Sequence, residues 1–291
     1  MELWYTEEWT DEVRFGIKVK EHLFTKKSDF QQIDIFDSNE FGKILTIDGL
    51  MMVNEKDEFI YHDMIVHPAL ATNPHVKRVL VIGAGDGGTV RELTRYASIE
   101  QIDMVEIDEV VTRACQVHLP LTASKLTDGR VNLIFDDGLK FVQTAKEDSY
   151  DLIIVDSTDP ISVGAGLFTT EFYMDCFRIL SENGILVNQH ESPYFDRDAR
   201  EMKRAHKKLA SLFPIAEVYQ AHIPTYPSGH WLFGFASKKL HPVKDIQADR
   251  WNGLGLKALY YNTDLHVGAF ALPTYVREML ADAIASELMN T

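Results

Sequence analysis

The stretch VLVIGAGDGGTV, Val79 to Val90, leads an apolar run into a G-x-G-x-x-G loop made by Gly83, Gly85 and Gly88, and sets Asp86 inside it. Loops of this kind usually bring backbone N–H groups and a helix N-terminus up to a phosphate. A carboxylate there works against an anion, because two like charges ~4 Å apart repel by ~4 kcal/mol at an effective dielectric of 20. A pyrophosphate-bearing dinucleotide is therefore disfavoured. Other apolar runs also end in acids: Glu106 after QIDMV, Asp136-Asp137-Gly138 after VNLIF, Asp156 after YDLIIV with Asp159 close behind, and Glu191 beyond GILVNQH. Glu106 stands where an acid commonly accepts hydrogen bonds from ribose hydroxyls, and Asp137 suits an adenine amino group. The set points to a nucleoside with a cationic tail.

Such chemistry needs a scaffold that carries several strand ends to one rim. From Val13 to about Asn54 the pattern alternates, and Asp48-Gly49 sits between two apolar runs as a hairpin turn would. This is a small antiparallel β unit. The segment DEFIYHDMIVHPALATNPHVK reads as a short helix closed by Pro74. After it, strands and helical stretches alternate, which implies a parallel, doubly wound sheet with its ligand crevice beyond the carboxyl ends of the strands. Two further strands, IAEVYQAHIP and HWLFGFAS, have no clear helix between them and would close one sheet edge as an antiparallel pair. The expected fold is α/β, a class I methyltransferase-like (Rossmann-like) doubly wound sheet with a small N-terminal antiparallel β domain. The expected division is residues 1–60, carrying the hairpins and oligomer contacts, and residues 61–291, carrying the catalytic site.

Composition narrows the partners. A hydrophobic content of 45% over 291 residues suits a full globular core, and Lys+Arg 29 against Asp+Glu 44 gives a net charge of -15. That balance disfavours nucleic acid and anionic membrane surfaces, and favours cationic ligands. Two cysteines, Cys115 and Cys176, supply no disulfide framework and fit a reducing, cytoplasmic location. The acidic, aromatic start MELWYTEEW is unlike a signal peptide, and no apolar run approaches a membrane span of ~20 residues. No H-E-x-x-H spacing exists, His190-Glu191 alone is not a metal site, and Ser157 lacks a nucleophile elbow. The hairpins leave strand edges that need covering, so a homodimer or homotetramer built partly through residues 1–55 is expected.

The motifs FQQIDIF, DEFIYHDM, GAGDGGTVRE, VEID, DDGLKF, DSTDP, PTYPSGHW and YYNTDLHVGAFALP occur in one order over most of the chain. In that series the chain resembles the spermidine synthases, aminopropyltransferases with a methyltransferase-like fold. The resemblance implies transfer of an aminopropyl group from decarboxylated S-adenosylmethionine, a co-substrate, to the diamine putrescine, giving spermidine and 5'-methylthioadenosine. Both substrates are cations, which fits an acidic rim, and neither a metal nor a cofactor is implied. Carried over position by position, Gln31, Glu106, Asp137 and Gly138 would hold the methylthioadenosine part, with Val163 in the gate over it, and Asp86 would grip the aminopropyl nitrogen. His62, Asp159, Tyr226 and Trp231 would line the amine channel together with Asp86 and Asp156.

The implied reaction is an in-line displacement in which a neutral amine attacks the carbon next to sulfur. An aliphatic amine with a pKa of ~10.4 is almost wholly protonated at neutral pH, so a base must take a proton. Asp156 is the candidate, supported by the hydroxyl of Tyr61. Two positions depart from the family pattern. Ala84 replaces a usual glycine in the loop, and Ser162-Val163 replaces the usual Gly-Pro in the gate, where Gly164 and Gly166 would supply hinges. The alternatives are a putrescine N-methyltransferase using S-adenosylmethionine, an aminopropyltransferase for agmatine, cadaverine or spermidine, and a non-catalytic binding module. Asp86 favours a donor without a carboxylate.

Overall fold

The computed structural model describes residues 2–158 and 163–288; the side chains of Val163, Ala165 and residues 286–288 are outside the description. The expected amine-channel residue Asp159 and the gate residue Ser162 thus lie outside the described residues, as does the side chain of Val163.

The first sheet is a meander of β1 (Leu3–Glu8), β2 (Arg14–Lys27), β3 (Gln32–Ser38), β4 (Gly42–Ile47) and β5 (Leu50–Asn54), each strand pairing with the next. Period-2 alternation drives it: Ile17 and Val19 on β2, and Ile33 and Ile35 on β3, are buried between exposed or half-buried neighbours. The β4–β5 turn has Asp48 at φ 50 and Gly49 at φ 83, the left-handed pair that a tight hairpin requires. Asp48 Oδ1 also accepts from the Gln32 N–H at 2.8 Å. β1 is an addition to the sequence reading. One of its inward positions is an acid, Glu7, which is buried and accepts from the Tyr5 hydroxyl at 2.9 Å and the Met51 N–H at 3.3 Å.

Next comes α1 (Glu58–Thr72), followed by β6 (Arg78–Gly83), α2 (Gly88–Thr94), β7 (Gln101–Glu106), α3 (Glu109–His118), α4 (Pro120–Ala123), β8 (Val131–Phe135), α5 (Gly138–Thr144) and β9 (Tyr150–Asp156). A 3-10 helix (Val163–Phe168) leads to α6 (Thr170–Ile179), β10 (Leu180–Gln189), α7 (Asp196–Leu212), β11 (Ile215–His222), β12 (His230–Ser237), α8 (Ala248–Gly253), α9 (Thr263–Ala269) and α10 (Thr274–Leu288). Among the described residues the second sheet runs β11-β12-β10-β9-β6-β7-β8; β6 to β10 pair parallel, and β12 lies antiparallel between β10 and β11. This is the doubly wound sheet with an antiparallel edge. Val79 and Val81 pack on one face with α1 and α2, while Leu80 and Ile82 pack on the other with α5, α6 and α7.

α1 continues for about one turn beyond the point where a proline would break an exposed helix. Pro68 lies inside it and cannot donate to the Met64 carbonyl. The buried Tyr219 hydroxyl donates to that carbonyl instead, at 2.7 Å. A second tie accounts for the YYN run near the C-terminus: Asp63 Oδ2 accepts from the N–H groups of Leu259, Tyr260 and Tyr261 at 3.0, 2.7 and 3.1 Å. Asp63, His67 and Glu92 bring possible ligand atoms within 4.8 Å of one another. Their contacts make them a structural latch between α1, α2 and this segment, with His67 Nε2 lying 3.2 Å from Asp63 and 3.3 Å from Glu92. Among the described residues no helix is long and apolar enough to cross a membrane.

Candidate active site

Parallel register sets the strand ends side by side, pairing Gly83 with Asp156 and Glu106 with Phe135. Gly83 has φ +86, and a Cβ there would lie 2.1 Å from the Asp156 carbonyl oxygen, so only glycine lets β6 turn beside β9. The next residue carries the departure noted in the sequence. Ala84 adopts φ 62 and donates its N–H to the Asp156 carbonyl at 2.8 Å. The substitution is therefore more than a question of space, since a left-handed non-glycine residue costs about 1–2 kcal/mol. Asp86 Oδ1 accepts from the Gly88 N–H at 2.9 Å and lies 3.3 Å from His62 Nε2.

Asp156 is gripped from two elements. Tyr61 of α1 donates its hydroxyl to Oδ1, and Thr89 in the first turn of α2 donates to Oδ2, both at 2.6 Å. Burial pushes the Asp156 carboxyl above its usual range and the charge of Asp86 adds to this; His62 and the two hydroxyls pull the other way. Burial and then Asp156 hold the Tyr61 phenol well above its ordinary value, so it stays a donor. Thr89 was not singled out from sequence, although it follows the last glycine of the loop directly.

At the end of β7, Glu106 is buried and accepts from the Asp108 N–H at 2.8 Å. Burial raises its carboxyl to about 7, with the Asp108 charge adding and backbone N–H groups opposing. Asp108 caps α3 and accepts from Ser28 Oγ at 2.6 Å and Gln31 Nε2 at 3.1 Å, which ties the β2–β3 turn to the second sheet. Asp137 caps α5 by accepting from the Leu139 N–H at 2.9 Å. A Cβ on Gly138 would come 2.6 Å from Ile82 Cγ2, which accounts for glycine there.

One cavity joins these groups: Gln31, Asp86, Glu106, Asp137, Gly138 and Asp156 line it together with Tyr61, His62, Tyr226 and Trp231. Gly164, read from sequence as a hinge of a gate, also lines it, inside the 3-10 helix. His62 reaches the wall with both ring nitrogens engaged, Nδ1 lying 2.5 Å from Glu58 Oε2 and Nε2 facing Asp86. Tyr226 donates its hydroxyl to the Met52 carbonyl at 2.7 Å, and its ring meets Trp231 edge-on at 4.9 Å and Tyr61 at 6.2 Å. Glu191, read from sequence as part of the acidic rim, is not among the lining residues. It is buried at φ 65 and accepts from Gln189 Nε2 at 3.0 Å, and Gln189 lines the cavity instead. Trp9 lines it as well, from a segment where sequence offered no chemical signal, and so does Asp57, which opens the DEFIYHDM motif but was given no role from sequence. Asp57 accepts from Asn54 Nδ2 at 2.6 Å and Thr225 Oγ1 at 2.7 Å, fixing the start of α1 against the loop that carries Tyr226.

Residues 58–247 match the family model described as the spermine/spermidine synthase domain, and residues 3–55 match that described as the spermidine synthase tetramerisation domain. The chain is 67% identical over 280 residues to a polyamine aminopropyltransferase of Clostridium beijerinckii, covering 96% of this chain and 98% of the relative. It is likewise 67% identical over 280 residues to that of Clostridioides difficile, covering 96% and 99%. Among solved structures, a spermidine synthase in complex with the transition state analogue AdoDATO superposes with a TM-score of 0.93 at 37% identity, covering 96% of this chain and 95% of that one. A spermidine synthase from Thermotoga maritima gives 0.92 at 38% identity, covering 96% and 94%.

Proposed function

The chain belongs to the spermine/spermidine synthase family and is a transferase, and from that premise we propose that it moves the aminopropyl group of decarboxylated S-adenosylmethionine onto putrescine. The products are spermidine and 5'-methylthioadenosine. The observation that carries this reading is the shared cavity in which Asp86 and Asp156 stand with Glu106 and Asp137. Two carboxylates suit two cationic groups, and the other two suit the ribose hydroxyls and the adenine amino group.

In our reading Gln31, Glu106, Asp137 and Gly138 hold the nucleoside, with the gate around Val163 over it. Asp86 binds the aminopropyl ammonium, while His62, Tyr226, Trp231 and Asp159 bound the amine channel. Asp156 takes a proton from the acceptor ammonium, and its raised pKa suits a base more than an ordinary carboxylate would. Tyr61 and Thr89 keep that carboxylate aimed. The neutral amine nitrogen then attacks the methylene carbon next to sulfur. A carbon–nitrogen bond forms, the carbon–sulfur bond breaks, and its electron pair goes to sulfur, which leaves as a neutral thioether. The remaining acceleration comes from holding two mutually repelling cations at attack distance.

The reaction requires no metal or resident cofactor in this scheme. The protein acts as a cytoplasmic homodimer or homotetramer assembled partly through the first sheet. Incubation with putrescine and either donor tests the reading. Methylthioadenosine should accumulate with the decarboxylated donor, together with spermidine; S-adenosylhomocysteine from the intact donor would make the protein an amine methyltransferase. Agmatine or cadaverine outcompeting putrescine would reassign the acceptor.

A further inference from the structure

A line of alternating charges runs from α2 back to the glycine loop. Arg91 of α2 holds both oxygens of Glu58, with Nη1 2.8 Å from Oε1 and Nη2 2.9 Å from Oε2. Glu58 opens α1, and its Oε2 lies 2.5 Å from Nδ1 of His62, one turn along the same helix. His62 Nε2 in turn faces Asp86 Oδ1 at 3.3 Å. Glu58 and His62 are almost wholly shielded, with side chains 5% and 3% exposed, so these contacts act at low dielectric.

The imidazole also has no freedom to turn. A Cβ on Gly88 would sit 2.2 Å from its Cε1, and the Tyr61 ring meets it edge-on at 5.5 Å. Its two nitrogens already serve Glu58 and Asp86, so a ligand could take one only by breaking a buried ion pair. Burial alone would lower the His62 pKa, but Asp86 and Glu58 together lift it well above the ordinary value, and the ring stays a cation between two anions. Two-pronged Arg–carboxylate geometry is the arrangement that fixes a carboxylate's direction as well as its charge.

We propose that Glu58, clamped by Arg91, is a positioning residue for the donor's cationic tail: it fixes the His62 ring and, through it, the orientation in which Asp86 meets the aminopropyl ammonium. The proposal rests on the reading of Asp86 given above. It adds the support of Asp86 to the place of His62 on the wall of the amine channel.

Methylthioadenosine lacks the ammonium, and this separates a positioning role from general damage. Calorimetry on the full-length protein should show Glu58→Gln binding decarboxylated donor about tenfold more weakly while methylthioadenosine binds within about twofold of the parent. Glutamine keeps the shape of the clamp and removes its charge. Arg91→Lys, which keeps a charge but loses the two-pronged grip, should give a smaller loss with the same selectivity. Equal losses for the two ligands in Glu58→Gln, or none, with Asp86→Asn still selective, would overturn the positioning role alone. Equal losses in Asp86→Asn as well would overturn the reading of Asp86 along with it.

Discussion

Replacing Asp86 by Asn removes one charge from the glycine loop and leaves its shape, because the amide oxygen can still accept the Gly88 N–H that Oδ1 accepts at 2.9 Å. A charged hydrogen bond to an ammonium contributes about 1.5–3 kcal/mol. His62 Nε2, 3.3 Å from Oδ1, already offsets part of the aspartate's charge, so the lower part of that range applies. Decarboxylated donor should therefore bind about 10- to 40-fold more weakly. Intact S-adenosylmethionine should lose less, or gain, because its carboxylate no longer meets a like charge that costs ~4 kcal/mol at ~4 Å and an effective dielectric of 20. The aspartate thus selects one donor partly by repelling the other. Calorimetry with both donors on both proteins reads this as a difference of differences, which cancels general loosening of the loop. Equal losses would mean that Asp86 only shapes the turn, and the electrostatic account of its place in the loop would be refuted.

Asp156→Asn should leave donor affinity nearly intact and lower kcat by roughly 10²–10⁴-fold; a collapse of donor affinity with kcat unchanged would make Asp156 a binding group. For Glu106, a carboxyl raised by burial to about 7 favours the empty fold in its protonated form. That contribution is complete below the ordinary carboxylate value and is lost as pH rises through 7. Glu106→Gln should accordingly abolish nucleoside binding yet raise the thermal midpoint of the empty protein at pH 8, by on the order of 3 kcal/mol in stability, with the gap closing toward pH 4; a pH-independent gap would remove the burial argument. Ala84→Gly relieves the strain at φ 62 by about 1–2 kcal/mol against about 0.5–1 kcal/mol of added chain entropy. Its thermal midpoint should hold or rise by a few degrees, and a clear fall would show that the buried methyl packs for more than the strain costs.

Much of the second sheet was legible because its parallel strands are short apolar runs, three of which, β7, β8 and β9, end in or run directly into an acid, Glu106, Asp136 and Asp156, and parallel pairing then brings those ends to one edge. The β4–β5 hairpin was legible for a similar local reason, since Asp48-Gly49 takes the left-handed conformation its composition favours. β1 was hidden because its inward face carries Glu7, satisfied by Tyr5 two residues away on the same strand and by Met51 of β5, far away in sequence. The same distance in sequence concealed Thr89, Trp9 and Asp57, whose neighbours at the site come from remote elements; a hydroxyl on a helix announces nothing until its carboxylate is in place. Glu191 failed the opposite way. A strand-end acid looks like part of the rim, but a left-handed turn at that residue pairs it with Gln189. Ala84 shows the remaining limit, as composition gives the size of a side chain and not the sign of its φ.

The central claim is that Asp86 and Asp156 each serve one cationic nitrogen in a single cavity. A crystal structure of the protein with methylthioadenosine and putrescine bound together tests it most directly. The account predicts an amine nitrogen of putrescine at hydrogen-bond distance from Asp156, pointing toward the sulfur, with the ribose hydroxyls on Glu106. Putrescine held elsewhere, with no nitrogen near Asp156 or Asp86, would contradict it.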